Sequence, residues 1–225
     1  MRETLRIVNP QKSLYFRGKI LGWHKSNKRT FPWRKTKNPY YILVAEILLQ
    51  QTDAAKVAKE YSSFIKTFPK PRRLARASKS SVRRFISQLG LDYRVNRLIS
   101  LARELEDKFN GTVPNTREEL LKLPGIGAYM ASAMLASAYD KRVAVLDTNI
   151  IRILGRFFGI RSSKRRGRTD PVLWAAAQCL LPKKSNMCKT WNYALLDFGA
   201  LVCSHYSPRC NECPCRRKCT YFTDS

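Results

Sequence analysis

The stretch LPGIGAYMASAMLASAYDKRVAVLDTNIIRILGRFFG, Leu123–Gly159, decides how the chain is read. Its opening LPGIG is a glycine turn between two helical patterns, EELLKL before it and AYMASAMLASAY after it. Pro124, Gly125 and Gly127 stop one helix and start the next at once, so residues of about 117–139 form a helical hairpin. Asn115 or Thr116 caps the first helix, with Glu118 or Glu119 reaching back. The turn leaves backbone N–H groups at Gly125 and Gly127 facing outward with the positive helix end behind them, an arrangement that suits a phosphate oxygen. An ordinary packing hairpin has the same pattern. The Ala and Ser residues of the second helix, Ala131 to Ala138, are explained by close packing.

Downstream, Asp147 ends the apolar run VAVL and precedes an amphipathic helix carrying Ile150, Ile151, Ile153 and Leu154. It reads first as an N-cap. The same amides and helix dipole are expected to lower its pKa, keeping it ionised where a cation develops. Upstream, YYILVAEILLQ (40–50) is apolar on nearly every side, and Glu46 is its only charge. Such a carboxylate stands either at a solvent edge or in an apolar pocket that raises its pKa toward that of a general acid. One raised and one lowered carboxylate would make an acid and stabiliser pair for cleaving a glycosidic bond.

Helical periodicity continues through 95–108, where Val95, Leu98, Ile99, Leu101, Ala102 and Leu105 share a face. Strand-like alternation is scarce, so the fold class is all-α. Over 225 residues, 43 Lys and Arg against 16 Asp and Glu give a net charge of +27. That excess disfavours a small-molecule enzyme and points to nucleic acid. Hydrophobic residues at 44% exclude a disordered basic tail. No apolar stretch reaches the roughly 20 residues needed to span a bilayer. A soluble intracellular protein, monomeric and without membrane attachment, is the expectation.

Five of the seven cysteines fall in the last 23 residues. Cys203, Cys210, Cys213 and Cys219 follow the spacing C-x6-C-x2-C-x5-C. Four thiolates hold either zinc or a four-iron cluster, and ligand chemistry alone leaves both open. The remaining Cys179, Cys188 and Cys215 read as small packed side chains, and His24 and His205 fit no catalytic constellation. Arg209, Arg216 and Arg217 interleave the cluster cysteines and are expected to meet DNA phosphates. The basic run Arg161–Arg168 could reach flanking phosphates, but it reads first as a flexible, solvated loop.

This cysteine spacing, together with LPGIGAYMA, VLDTNIIRIL, FPWR (31–34), NPYYILVAEILLQQT (38–52) and GLDYR (90–94), resembles the helix-hairpin-helix DNA glycosylase superfamily of endonuclease III and MutY. The likeness runs from about residue 20 to 219. It implies a two-domain all-helical fold: a six-helix barrel over 30–141, and an iron–sulfur domain joining 1–29 to 142–225, with a [4Fe–4S] cluster on the four cysteines. It also implies that Asp147 is the catalytic carboxylate. In endonuclease III-like enzymes the seventh residue of the LPGVG-type motif is a lysine that forms a Schiff base. Tyr129 stands there, and a phenol cannot form an imine, so a monofunctional glycosylase leaving an abasic site is expected.

Tyr129 with Glu46 is similar to MutY and to its short relatives that remove thymine or uracil opposite guanine. Glu46 matches the residue that protonates the leaving base in MutY. Gln50 and Gln51 match the segment whose glutamine enters the base stack. The chain ends six residues after Cys219, without the MutY C-terminal domain, and GLDYR replaces GLGYY, which sets Tyr93 apart from the MutY wedge pattern. The resemblance favours thymine or uracil in a mismatched duplex, with adenine opposite guanine or 8-oxoguanine as the alternative, and an inactive mismatch-binding protein as the lesser one.

Overall fold

A computed structural model describes residues 8–90 and 92–223; the N-terminal residues 1–7, Leu91 of the GLDYR motif and residues 224–225 lie outside the described residues. The described residues contain helices and short 3₁₀ turns and no strand, as the all-α expectation requires. The chain divides into two compact units, one of residues 30–139 and one joining 1–29 to 140–225.

The second unit opens with α1 (Pro10–Asn27), capped by the Asn9 side chain on the Lys12 amide at 3.0 Å. The unit of 30–139 then carries α2 (Pro32–Lys35), α3 (Pro39–Leu48), α4 (Ala54–Thr67), α5 (Pro71–Ala75), α6 (Lys79–Ile86), α7 (Tyr93–Phe109), α8 (Arg117–Lys122) and α9 (Ala128–Ser137). The chain returns to the other unit for α10 (Thr148–Phe158), α11 (Pro171–Cys179), α12 (Cys188–Leu201) and α13 (Thr220–Thr223).

In the unit of 30–139, α3 starts where Asn38 accepts from the Tyr40 amide and Pro39 pre-sets the first turn. Ile42, Leu43, Val44, Ile47 and Leu48 are all buried, each burial contributing roughly 1.5–3 kcal/mol. Phe64, Phe68 and Phe85 stack edge-on beside them. On α7 the buried face is the one its periodicity marks, with Arg94 added. The helix ends at Asn110 and Gly111, both in the left-handed region. For the hairpin, the cap is Thr116, whose hydroxyl accepts from the Glu119 amide at 3.3 Å and donates to the Glu119 carboxylate at 2.6 Å. Arg117 on α8 donates to the buried Ser132 of α9 at 2.9 Å, tying the two helices.

In the other unit, Phe16 of α1 is fully buried among Phe157, Phe158, Trp191 and Phe198. A second tie joins α1 to α12. The fully buried Asp197 carboxylate receives His24 Nε2 at 3.2 Å and the Arg29 amide and Nε at 3.0 and 2.6 Å. That arrangement gives His24 a structural role.

Candidate active site and nucleic-acid interface

In the unit of 30–139 the candidate residues converge through a side chain that the motifs did not single out. Arg97, one turn into α7, lies over the Tyr93 ring at 4.9 Å and donates to Gln50 Oε1 at 2.5 Å. It also fills the space beside Gly125: a Cβ there would meet Arg97 Cδ and Nε at 2.5 Å. Gln50 in turn directs its Nε2 to Met130 Sδ at 2.8 Å. Arg97 thus ties the hairpin turn, Gln50 and Tyr93 together.

The segment after α3 is clamped from below by Arg94, whose buried guanidinium donates to Leu48 O at 2.9 Å, to Gln50 O and to Thr52 Oγ1 at 2.7 Å. Above this clamp the two glutamines part company. The polar atoms of Gln50 are spent inside the unit, while Gln51 is exposed and holds φ +54°, a left-handed conformation costly to a residue with a Cβ. Tyr93 is 42% exposed. Glu46 is half-buried between the buried Ala45 and Ile47, and Tyr129 is half-buried on the first turn of α9.

The hairpin glycines differ in what they require. Gly125 holds φ +80° and abuts Arg97, so both backbone and space demand glycine. Gly127 has an extended backbone, is exposed, and an added Cβ would have nothing within 4 Å. It also precedes α9 with no side-chain cap hydrogen bond.

In the other unit the extended segment before Asp147 is held by two amide side chains acting as a surrogate strand. Gln178 Oε1 accepts from the Ala144 amide at 3.0 Å, and Asn192 bridges the Val145 amide and Val143 carbonyl at 3.4 and 2.9 Å. Asp147 then caps α10: Oδ1 accepts from the Ile150 amide at 2.8 Å, and Oδ2 from Asn149 Nδ2 at 2.7 Å. Arg152 fixes the Asn149 amide, donating to its Oδ1 at 2.7 Å while also holding Gly199 O at 2.7 Å and Cys203 O at 2.8 Å. The approach is close, since a Cβ on Gly199 would lie 2.6 Å from Asn149 Cβ.

The expected lowering of the Asp147 pKa is corrected. Burial pushes its carboxyl above the ordinary carboxylate range, and the Ile150 amide, Asn149 and Arg152 pull it only part of the way back. Desolvation outweighs the cap because protein crowds a carboxylate that keeps only part of its surface open.

Further along, all seven cysteines are free thiols. Among the described residues no group of three or more His, Cys, Asp or Glu side chains is gathered closely enough to hold a metal ion. The four spaced cysteines are near enough to feel one another: burial first, then Cys213 and Cys203, push the Cys210 thiol up, and Cys219 is raised in the same way. By donor chemistry, four thiols spaced along one loop of short 3₁₀ turns match the ligand set of a tetrahedral-sulfur centre, although their side chains are not drawn together into one. Cys215 is buried and hydrogen-bonded to the Cys213 thiol. On the same loop Arg209 pairs with Glu212 at 3.7 Å, and Arg216 donates to Asn211 O at 3.2 Å. Arg216, Arg217 and Lys218 line a cleft of about 600 Å³ with Tyr15 and Lys19.

A family model for HhH-GPD superfamily base excision DNA repair proteins matches residues 44–178. The chain belongs to the HhH-GPD superfamily. It is similar to the thymine-DNA glycosylase of Aeropyrum pernix, with 38% identity over 210 residues covering 92% of this chain and 94% of the relative. The thymine/uracil-DNA glycosylase of Pyrobaculum aerophilum is 40% identical over 88% of this chain and 87% of its own length. A solved structure of a thermostable thymine-DNA glycosylase superimposes with a TM-score of 0.89 at 33% identity, covering 96% of this chain and 98% of that one. The family resemblance drawn from the motifs is borne out.

Within the HhH-GPD chain, no helix among the described residues is long and apolar enough to cross a membrane. Sequence reading missed Arg97, Asn149 and Arg152, whose only outward sign is spacing of two to five residues from Tyr93 or Asp147. The run 161–168 is exposed at most of its positions, as a solvated loop is, but it is also anchored to the buried carboxylate of Asp170, which accepts from Ser162 Oγ at 2.7 Å and the Ser163 amide at 3.0 Å.

Proposed function

We propose that the chain is a monofunctional DNA glycosylase that removes thymine or uracil from mismatches with guanine and leaves an abasic site. Asp147 carries the chemistry of this reading: a carboxylate fixed by two hydrogen bonds at the head of α10, on the motif residue that follows the hairpin. Its likeness to thymine and thymine/uracil glycosylases over nearly their whole length supports the substrate class.

In the reaction, the target nucleotide leaves the stack at a cost of a few kcal/mol, less at a mismatch. Gln51, already presented in a left-handed turn, occupies the gap it leaves, and the exposed Tyr93 ring is a second contact for the opened duplex. Ionised Asp147 stabilises the cationic sugar that forms as the N-glycosidic bond breaks. Glu46 gives its proton to the departing base, water adds its hydroxyl to C1′, and the proton that water sheds restores Glu46, so one water is consumed per base released. Tyr129 offers no amine for a Schiff base, so the sugar–phosphate backbone stays intact. The amides at Gly127 and the first turn of α9 hold a backbone phosphate, and Arg209, Arg216 and Arg217 add phosphate contacts from the cysteine loop. Cys203, Cys210, Cys213 and Cys219 would hold a [4Fe–4S] cluster, which when bound fixes the shape of that loop. A brown protein with broad visible absorption is expected, and a colourless protein containing stoichiometric zinc would replace the cluster with zinc.

End-labelled duplexes bearing G·T, G·U, A·G and A·8-oxoguanine pairs, with and without alkali, test this reading. Breaks at T and U that appear only after alkali support it. Breaks without alkali would reject the monofunctional assignment, and release of adenine alone would move the substrate to the MutY type.

A further inference from the structure

A cleft of about 780 Å³ opens on the unit that carries Asp147, lined by Thr148, Arg152, Arg166, Arg168, Thr169 and His205 among others. Thr148 is the residue after Asp147, so the cleft begins beside that carboxylate. Its lining includes three arginines and no Asp or Glu. Arginines around one cleft with no acidic residue in its lining are an electrostatic match for an anion.

Nothing in the fold neutralises Arg166 and Arg168. Both are exposed, and among the described residues neither is paired with a carboxylate. The one carboxylate of their own segment, Asp170, is 1% exposed and turned inward. Besides Ser162 and Ser163 it accepts from the Val172 amide at 2.9 Å, capping α11, and the Ser162 hydroxyl first, then the amides, hold its carboxyl below the usual range. Asp170 therefore shapes the loop and leaves the arginines unneutralised.

The loop is also seated firmly. Gly167 lies so close to α10 that a Cβ would meet Ile151 Cδ1 and Leu173 Cδ1 at 3.3 Å. Trp174 Nε1 donates to Arg168 O at 2.8 Å, and Thr169 Oγ1 to Arg166 O at 2.8 Å. Two arginines on a preformed 3₁₀ turn lose less freedom on meeting a ligand than two on a free loop would.

We infer that this cleft binds a phosphate of the DNA backbone next to the target nucleotide, with Arg166 and Arg168 as its principal ligands. The inference rests on the proposed function for its ligand, duplex DNA, and for placing the target nucleotide at Asp147.

The test uses the full chain and a duplex with a single G·U pair. Each phosphate within three nucleotides of the uracil is replaced in turn by a neutral methylphosphonate, and binding is followed by fluorescence anisotropy. Unsubstituted protein is expected to lose about tenfold in affinity at one or two of these positions. The variant Arg166→Ala/Arg168→Ala is expected to bind the unmodified duplex about tenfold more weakly, with a salt dependence flattened by about one unit of slope. It should lose less than twofold further at those same positions. Arg166→Lys/Arg168→Lys should restore part of the affinity, and melting curves should match across all three proteins, since both side chains are exposed. Unchanged affinity of the alanine variant, or undiminished sensitivity to the same methylphosphonates, would overturn the inference. Uracil release by the unsubstituted protein is read separately: no release with an intact methylphosphonate pattern would refute the glycosylase reading and leave the cleft standing.

Discussion

In the proposed reaction Asp147 is ionised when the base departs, yet its surroundings raise its pKa. Two consequences follow with opposite signs. Base release should fall on the acid side as pH drops through the raised Asp147 pKa, above the value of about 3.9 for an ordinary aspartate; a single-turnover pH profile measures this. Stability runs the other way. A carboxyl with a raised folded pKa binds its proton more tightly when folded, so its contribution is lost as pH climbs from the unfolded toward the folded value. Asp147→Asn, which keeps a good N-cap, should therefore be at least as stable as the parent at pH 7, with the gap closing near pH 4. Thermal melts at both pH values check the sign. The cap at Asp147 could be read from a polar residue before an amphipathic helix. The direction of its pKa could not, because it depends on what surrounds the carboxylate in space. Arg97 escaped for a related reason: its contacts to Gln50 and Gly125 join segments 47 and 28 residues away.

At the scale of elements, the hairpin separates structural from ligand-facing glycine. Gly125→Ala meets both a positive φ and Arg97, and should destabilise by about 1–3 kcal/mol. Gly127→Ala meets neither, so its melting temperature should hold while duplex affinity drops severalfold; equal melting and equal affinity would remove the amide site from the interface. The hairpin was legible because turn, caps and periodicity are all local. The loop 161–170 was legible only in part. Asp170-Pro171 carries an ordinary helix-start signal, but nothing local shows that the same carboxylate also binds Ser162 and Ser163. A composition rich in Arg and Ser reads as solvated until that long side of the network is seen.

For the whole molecule, the +27 charge works at two ranges. Most of it sets a diffuse field for capture of DNA, while the cysteine loop and the cleft at Arg166 and Arg168 bring guanidinium groups to fixed places. Among the acidic residues, Asp197 serves the fold. Asp197→Ala strands His24 and Arg29 against α12 and should cost about 3–5 kcal/mol, lowering the melting temperature by on the order of 10 °C. The all-α class and family were readable from periodicity and from motifs in order. The ties inside each unit were not, because residue pairs such as His24 and Asp197 are 173 positions apart.

The central claim is that Asp147 carries the chemistry of base release. Single-turnover excision from a G·U duplex, with binding measured on the same samples, tests it most directly. For Asp147→Asn the account predicts duplex affinity within a few fold of the parent and a rate at least about 10³-fold lower. Turnover retained within about tenfold, with binding intact, would contradict it.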